Sequence, residues 1–78
     1  MNALLWKGYG ISDIYLTTED NFEKVKETVL GIMFAVYEKD VIIQIEDADF
    51  WGELVDVVRT NSYGDNNFES FEIVEVQE

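Results

Sequence analysis

The stretch "TTEDNFEKVKETVLGIMFAVYEKD" (17–40) constrains the fold more than any other part of the chain. Phe22, Val25, Val29, Ile32, Met33 and Val36 recur at intervals of three and four, the spacing that lines one side of an α-helix with apolar groups. A stripe of that length must be covered, and a chain of 78 residues has material for one modest core and one domain, 1–78. Asp20 with Glu23 three residues on predicts the helix start, in the capping-box spacing that satisfies free backbone N–H groups. Gly31 costs about 1 kcal/mol against alanine inside such a helix, which predicts a close packing neighbour there.

The flanking segments supply the cover. "SDIYLTT" alternates Ile14 and Leu16 against Asp13, Tyr15 and Thr17, the period of a half-buried strand. "ALLWK" followed by "GYG" reads as an earlier strand and a turn, together a hairpin. Beyond the helix, "VIIQIE" is short and β-branched and predicts a further strand. Asp47 predicts the cap of a second helix over about 48–60, with Phe50, Leu54, Val57 and Val58 inward and Trp51 at the rim. "TNSYGDNN" is rich in turn formers and reads as a loop. "FESFEIVEVQ" closes the chain as a strand, with a bulge expected between Phe71 and Ile73 on one side and Val74 and Val76 on the other. The order β(β)αβαβ predicts an α/β or α+β fold. Its form would be a small two-layer sandwich, a three- to four-stranded sheet with two helices on one face, connected by right-handed crossovers.

Residue types that are missing narrow the chemistry. With no cysteine and no histidine, the chain has no disulfide, no Cys/His zinc site, no iron–sulfur ligation and no Ser-His or Cys-His nucleophile. "GYG" at 8–10 lacks the spacing of a phosphate-binding glycine loop, and no cofactor motif is present. Neither "EDAD" nor "DNNFE" matches the calcium loop of an EF-hand, so both read as a helix start and a turn. "MNALLWKGYG" carries too little charge and apolar length for a signal peptide, and no apolar run approaches the roughly 20 residues of a membrane span. A soluble, cytoplasmic protein is the expectation.

Charge is the remaining signal. Seventeen acids against five bases give −12, and residues 38–78 hold twelve of the acids and two of the bases. Such a chain repels nucleic acid and anionic membranes, and its complement is a basic protein surface. Glu46, Asp47 and Asp49 stand where α/β active sites often lie, but carboxylates at a helix start are favoured by the helix dipole, so no catalytic set is assigned. Asp49, Glu53 and Asp56 are spaced i, i+4 and i+7 and would line one helical stripe, about 5–6 Å apart, close to the spacing of phosphates along a strand. Glu69, Glu72, Glu75 and Glu78 recur every third residue on the last strand, with Glu69 and Glu75 on one side and Glu72 and Glu78 on the other. Trp51 among these carboxylates would anchor an arginine, with Tyr63 and Phe68 as further aromatic candidates. The plain alternatives are a wet helix face, a strand edge charged against aggregation, and aromatic packing at the core margin.

Three functional readings follow. In size and composition alone the chain resembles the small acidic counter-defence proteins of phages and mobile elements. That resemblance implies a non-enzymatic inhibitor that imitates nucleic acid and blocks the basic groove of a DNA- or RNA-handling protein. Its partner-binding residues would be Asp49, Trp51, Glu53, Asp56, Glu69, Glu72 and Glu75. The second reading is an immunity protein or antitoxin that neutralises a basic toxin, with Trp51 and Tyr63 dominant; the third is an acidic structural or regulatory subunit. Independently of these, the weakly charged "ALLW" and "GYGI" segments make a homodimer through the N-terminal half an open alternative.

Overall fold

The computed structural model describes residues 1–8, 10–33, 39–61 and 68–77. Three strands and three helices follow in the order β1 (Asn2–Gly8), β2 (Ile11–Leu16), α1 (Glu19–Met33), α2 (Lys39–Asp47), α3 (Trp51–Asn61) and β3 (Phe68–Glu75). The fold is α+β, with one sheet ordered β2-β1-β3 in which both pairings are antiparallel. β3 is therefore an edge. Among the described residues no neighbouring strands run parallel, so the expected strand–helix–strand crossover between adjacent strands is replaced by a hairpin and a three-helix connection from one edge to the other.

The hairpin forms as its sequence predicts. Gly8 pairs with Ile11 across the turn, and Gly8 and Gly10 take φ values of 139° and 77°, a region that side-chain-bearing residues rarely enter. β3 pairs regularly with β1 from Asn2–Glu75 to Lys7–Ser70, and then Gly8 pairs with Phe68, leaving Glu69 as the extra residue. The irregularity thus lies at the start of β3 and not between Phe71–Ile73 and Val74–Val76 as expected. Val74 and Val76 need no bulge because the opposite side of the sheet is itself apolar.

The largest departure is "VIIQIE", which is helix α2 and not a strand. Ile42, Ile45 and Ala48 recur every third residue and are buried, whereas Ile43, Gln44 and Glu46 face solvent. A strand would have put Ile43 and Ile45 on the same side; packing against α1 and α3 selects the helical pairing and overrides the weak β preference of isoleucine. The third helix comes from this same substitution. α3 starts at Trp51 and not near 48, because Asp47 is the last residue of α2 and the chain turns at 48–50, where the Ala48 N–H bonds Ile45 O at 3.2 Å.

α1 begins one step earlier than its predicted cap. The Thr18 hydroxyl oxygen accepts from the Asn21 N–H at 3.2 Å, and the Asn21 side chain donates to Leu16 O at 2.8 Å. Thr18 is the N-cap; Asp20 lies inside the first turn, where the helix dipole favours an acid. Gly31 has no close neighbour among the described residues, against expectation, and is exposed. Of the predicted stripe, Phe22, Val25 and Val29 are buried and Ile32 is partly so; the Met33 side chain, Val36 and most of the predicted 60–67 loop lie outside the described residues, while Thr60 and Asn61 belong to α3.

These helices cover one side of the sheet. Leu4, Trp6 and Phe71 project from it into a core completed by Phe22, Val25, Val29, Ile42, Ile45, Ala48, Leu54, Val55 and Val58. Trp6 is the centre: it is fully buried, and its ring lies edge-on to Phe71 at 5.5 Å and tilted to Tyr15 at 6.3 Å. Register pairs point to the same side of an antiparallel sheet, so Tyr15, Asp13, Ile73 and Glu75 also share the helical side.

Candidate functional site

The start of α1 and the 48–51 junction are 22 to 33 residues apart in sequence, and three contacts hold them together. The Lys26 ammonium donates to Ala48 O at 2.8 Å. The Trp51 indole N–H donates to Thr18 O at 3.3 Å. The Trp51 ring stands edge-on to Phe22 at 5.4 Å, and Lys26 passes over the Phe22 ring at 5.7 Å. Local sequence prepares the participants: Thr18 follows β2 and caps α1, Phe22 and Lys26 are one helical turn apart, and Ala48 is small enough to be buried at the bend.

Beside this clamp lies an open groove of about 370 Å³, lined by Glu19, Asp20, Phe22, Glu23, Lys26, Ala48 and Asp49. Four of these residues are acids and one is a base whose ammonium is already bonded to Ala48 O. Glu19 and Glu23 are one turn apart, and like charges at that spacing oppose the helix by about 0.2–0.5 kcal/mol, which the dipole at the first turn offsets in part. All four carboxylate residues are exposed, and no charged or polar side chain is buried among the described residues. Nor do three or more acids converge there as a metal site would need. The negative charge is dispersed over a concave surface with an aromatic wall.

The residues expected from sequence divide between several places. Asp49 lines the groove, and Trp51 is half-buried behind it. Because α3 starts at Trp51, Asp49 precedes the helix, so the stripe of Asp49, Glu53 and Asp56 on one helical face does not form. Glu53 and Asp56 alone are three residues apart on α3, and Glu53 is half-buried. On β3, Glu75 shares the helical side, Glu69 is the bulge residue, and Glu72 points to the opposite side of the sheet. The helix acids and the β3 acids therefore do not make one continuous surface. Tyr63, the side chain of Phe68, and Glu78 lie outside the described residues.

Of the aromatic pair at 50–51, Trp51 lies at the core margin as expected, whereas Phe50, expected inward, does not. Phe50 is 61% exposed, and its ring lies over Gly52, 3.5 Å from where a Cβ would sit. Trp51 packs inward because the indole can fill the gap beside Phe22 and still place its N–H on a backbone oxygen. Sequence reasoning assigned Asp20 and Glu23 only to capping and left Glu19 out. Nothing periodic in the sequence marks their meeting with Asp49, since it depends on how α1 crosses the α2–α3 bend.

Among the described residues no helix is long and apolar enough to cross a membrane. Compared with known proteins, the chain finds no significant match to a family model, a curated protein or a solved structure.

Proposed function

We propose that this chain is a small, non-enzymatic acidic binding protein that imitates nucleic acid and blocks the basic groove of a DNA- or RNA-handling protein, in the manner of phage or mobile-element counter-defence. The observation that carries the reading is the groove of Glu19, Asp20, Glu23 and Asp49, which sets exposed carboxylates around an aromatic wall without gathering them into an ion site. A dispersed anionic concavity suits several lysines or arginines at once, as a run of phosphates does. Glu53 and Asp56 add further negative charge on α3, outside the groove lining.

The test is capture from a nuclease-treated bacterial lysate, with elution first by duplex DNA and then by rising salt. A nucleic-acid enzyme released by DNA or modest salt supports the proposal. Changing Glu19, Glu23 and Asp49 together to lysine should then slow association at least tenfold, by loss of steering. If that triple variant captures the same partner equally well, the groove is only a solvated helix start.

A second reading, an immunity protein or antitoxin against a basic toxin, draws support from Phe50. This is the one large aromatic side chain in the helical layer left mostly exposed among the described residues, and it adjoins Asp49. It takes the anchoring part first considered for Trp51, whose ring and N–H are engaged inside the protein. In that case Phe50→Ala accelerates dissociation more than the charge reversals slow association.

A further inference from the structure

Among the described residues nothing covers the side of the sheet away from the helices, and its composition does not suit water. Its register rows run Leu16–Ala3–Val74, then Ile14–Leu5–Glu72, then Ser12–Lys7–Ser70, with Met1 and Val76 at the end where the Val76 N–H bonds Met1 O. Ile14 is 62% exposed, Leu16 42% and Met1 60%, while Leu5 and Val74 are half-buried. A sheet with one wet face alternates apolar and polar residues; here β1 reads "ALLW", apolar on both sides, as a strand covered twice does.

The charged side chains of the same face cancel, in a chain of −12. Lys7 and Glu72 are its two charged residues, and the register makes them diagonal neighbours across β1 and β3. A basic partner would find little to hold it there. A second copy of this chain would find a surface of its own kind: two-fold related apolar rows can stack, and each Lys7 can meet the other copy's Glu72. We infer that two copies associate through this open sheet face, with Ile14, Leu16, Leu5 and Val74 at the contact.

The extent of the face sets the strength. Three strands about 4.8 Å apart and seven residues of about 3.3 Å give roughly 14 by 23 Å, well below the area of a standard specific interface. Association is weak and depends on concentration. It also carries a sign that no contact made by the acidic groove shares. Two chains of −12 repel, and salt shortens the reach of that repulsion from about 10 Å at 0.1 M to about 3 Å at 1 M, so pairing strengthens as salt rises.

Sedimentation velocity on the full chain, up to about 1 mM protein and at low and high salt, tests this. The expected result is a monomer–dimer equilibrium shifted toward dimer by salt. Ile14→Lys should abolish the dimer at every concentration even though it lowers the net charge, and Leu16→Thr, which keeps β preference, should weaken it several-fold. Phe50→Lys, an equally exposed apolar position on the helical side, should leave it unchanged, and circular dichroism checks that each variant is folded. A chain that stays monomeric at high protein and high salt overturns the inference. So does a dimer that survives both Ile14→Lys and Leu16→Thr, which would point to pairing along the β2 edge, or one lost equally in Phe50→Lys.

Discussion

Leu4 and Trp6 are fully buried against the helices, while Leu5 between them turns to the uncovered side of the same strand among Ile14, Leu16 and Val74. The two sides of β1 are thus similar in character and opposite in fate. Most of the acids went with the helices: of the fourteen among the described residues, Glu19, Asp20, Glu23, Glu27, Asp40, Glu46, Asp47, Asp49, Glu53 and Asp56 stand on them or at their junctions, against one, Glu72, on the open face. Burial of one apolar side and segregation of charge away from the other leave two surfaces with contrary requirements. The acidic one is suited to a basic partner and loses by added salt, whereas the apolar one is suited to a neutral partner and gains by it.

The largest test of this contrast is a pair of truncations in dilute solution. Trp6→Ala empties the centre of the covered side and should cost about 3–5 kcal/mol, a large share of the roughly 4–12 kcal/mol available to a domain of this length. Ile14→Ala, at a position 62% exposed on the other side, should cost under about 1 kcal/mol. Urea denaturation reads both, and Trp6→Phe, which refills most of the site, should recover part of the loss. Equal costs for Trp6 and Ile14 in a monomer would mean that the open side is covered after all.

A smaller effect checks how the helical layer is fastened to the sheet. Removing the hydroxyl in Thr18→Ala should destabilise by about 1 kcal/mol, because the Asn21 N–H loses its acceptor. The Trp51 indole bond survives this change, since it is made to the Thr18 backbone oxygen. Asp20→Ala should cost less, its carboxylate contributing through the dipole alone. If Asp20→Ala proves the costlier of the two by thermal unfolding, the cap is at Asp20 and the helix start is misplaced. Gly31→Ala, exposed and without a near neighbour among the described residues, should gain up to about 1 kcal/mol in the same assay.

What was legible in the sequence was what depends on near neighbours in the chain. The hairpin followed from two glycines around Tyr9, and α1 from a stripe of spaced apolar residues. "VIIQIE" was misread because a short apolar run is equally consistent with strand and helix, and only α1 and α3 on either side decide it. That one error moved the start of α3 and dissolved the Asp49–Glu53–Asp56 stripe. Phe50 was expected inward as part of a helix from 48, but α3 starts at Trp51, and Trp51 has an N–H to place on Thr18 O. The groove joins residues about 25 positions apart, a meeting that no local pattern encodes.

The smallest effect concerns Tyr15, on the covered side of an edge strand. Its phenol is raised above the ordinary value of 10.0 by burial first and then by Asp13, whose carboxylate accepts a 3.4 Å hydrogen bond from the hydroxyl. A raised value means that the folded protein holds this proton after the unfolded chain has released it. The resulting stability is complete below pH 10.0 and is lost as pH climbs through the folded value. The comparison is between wild type and Tyr15→Phe, in which the contribution of every other group cancels. The unfolding midpoint of wild type should fall relative to Tyr15→Phe above that pH, and Asp13→Asn should shrink the difference without removing it, because burial remains. This bears on the two faces directly. Tyr15 lies under the helices and Ile14 beside it does not, so pairing of two copies through Ile14 should leave unchanged the difference in phenol titration between wild type and Tyr15→Phe, which isolates Tyr15 from the other three tyrosines. A difference that shifts with protein concentration would place the contact on the covered side or along the β2 edge instead.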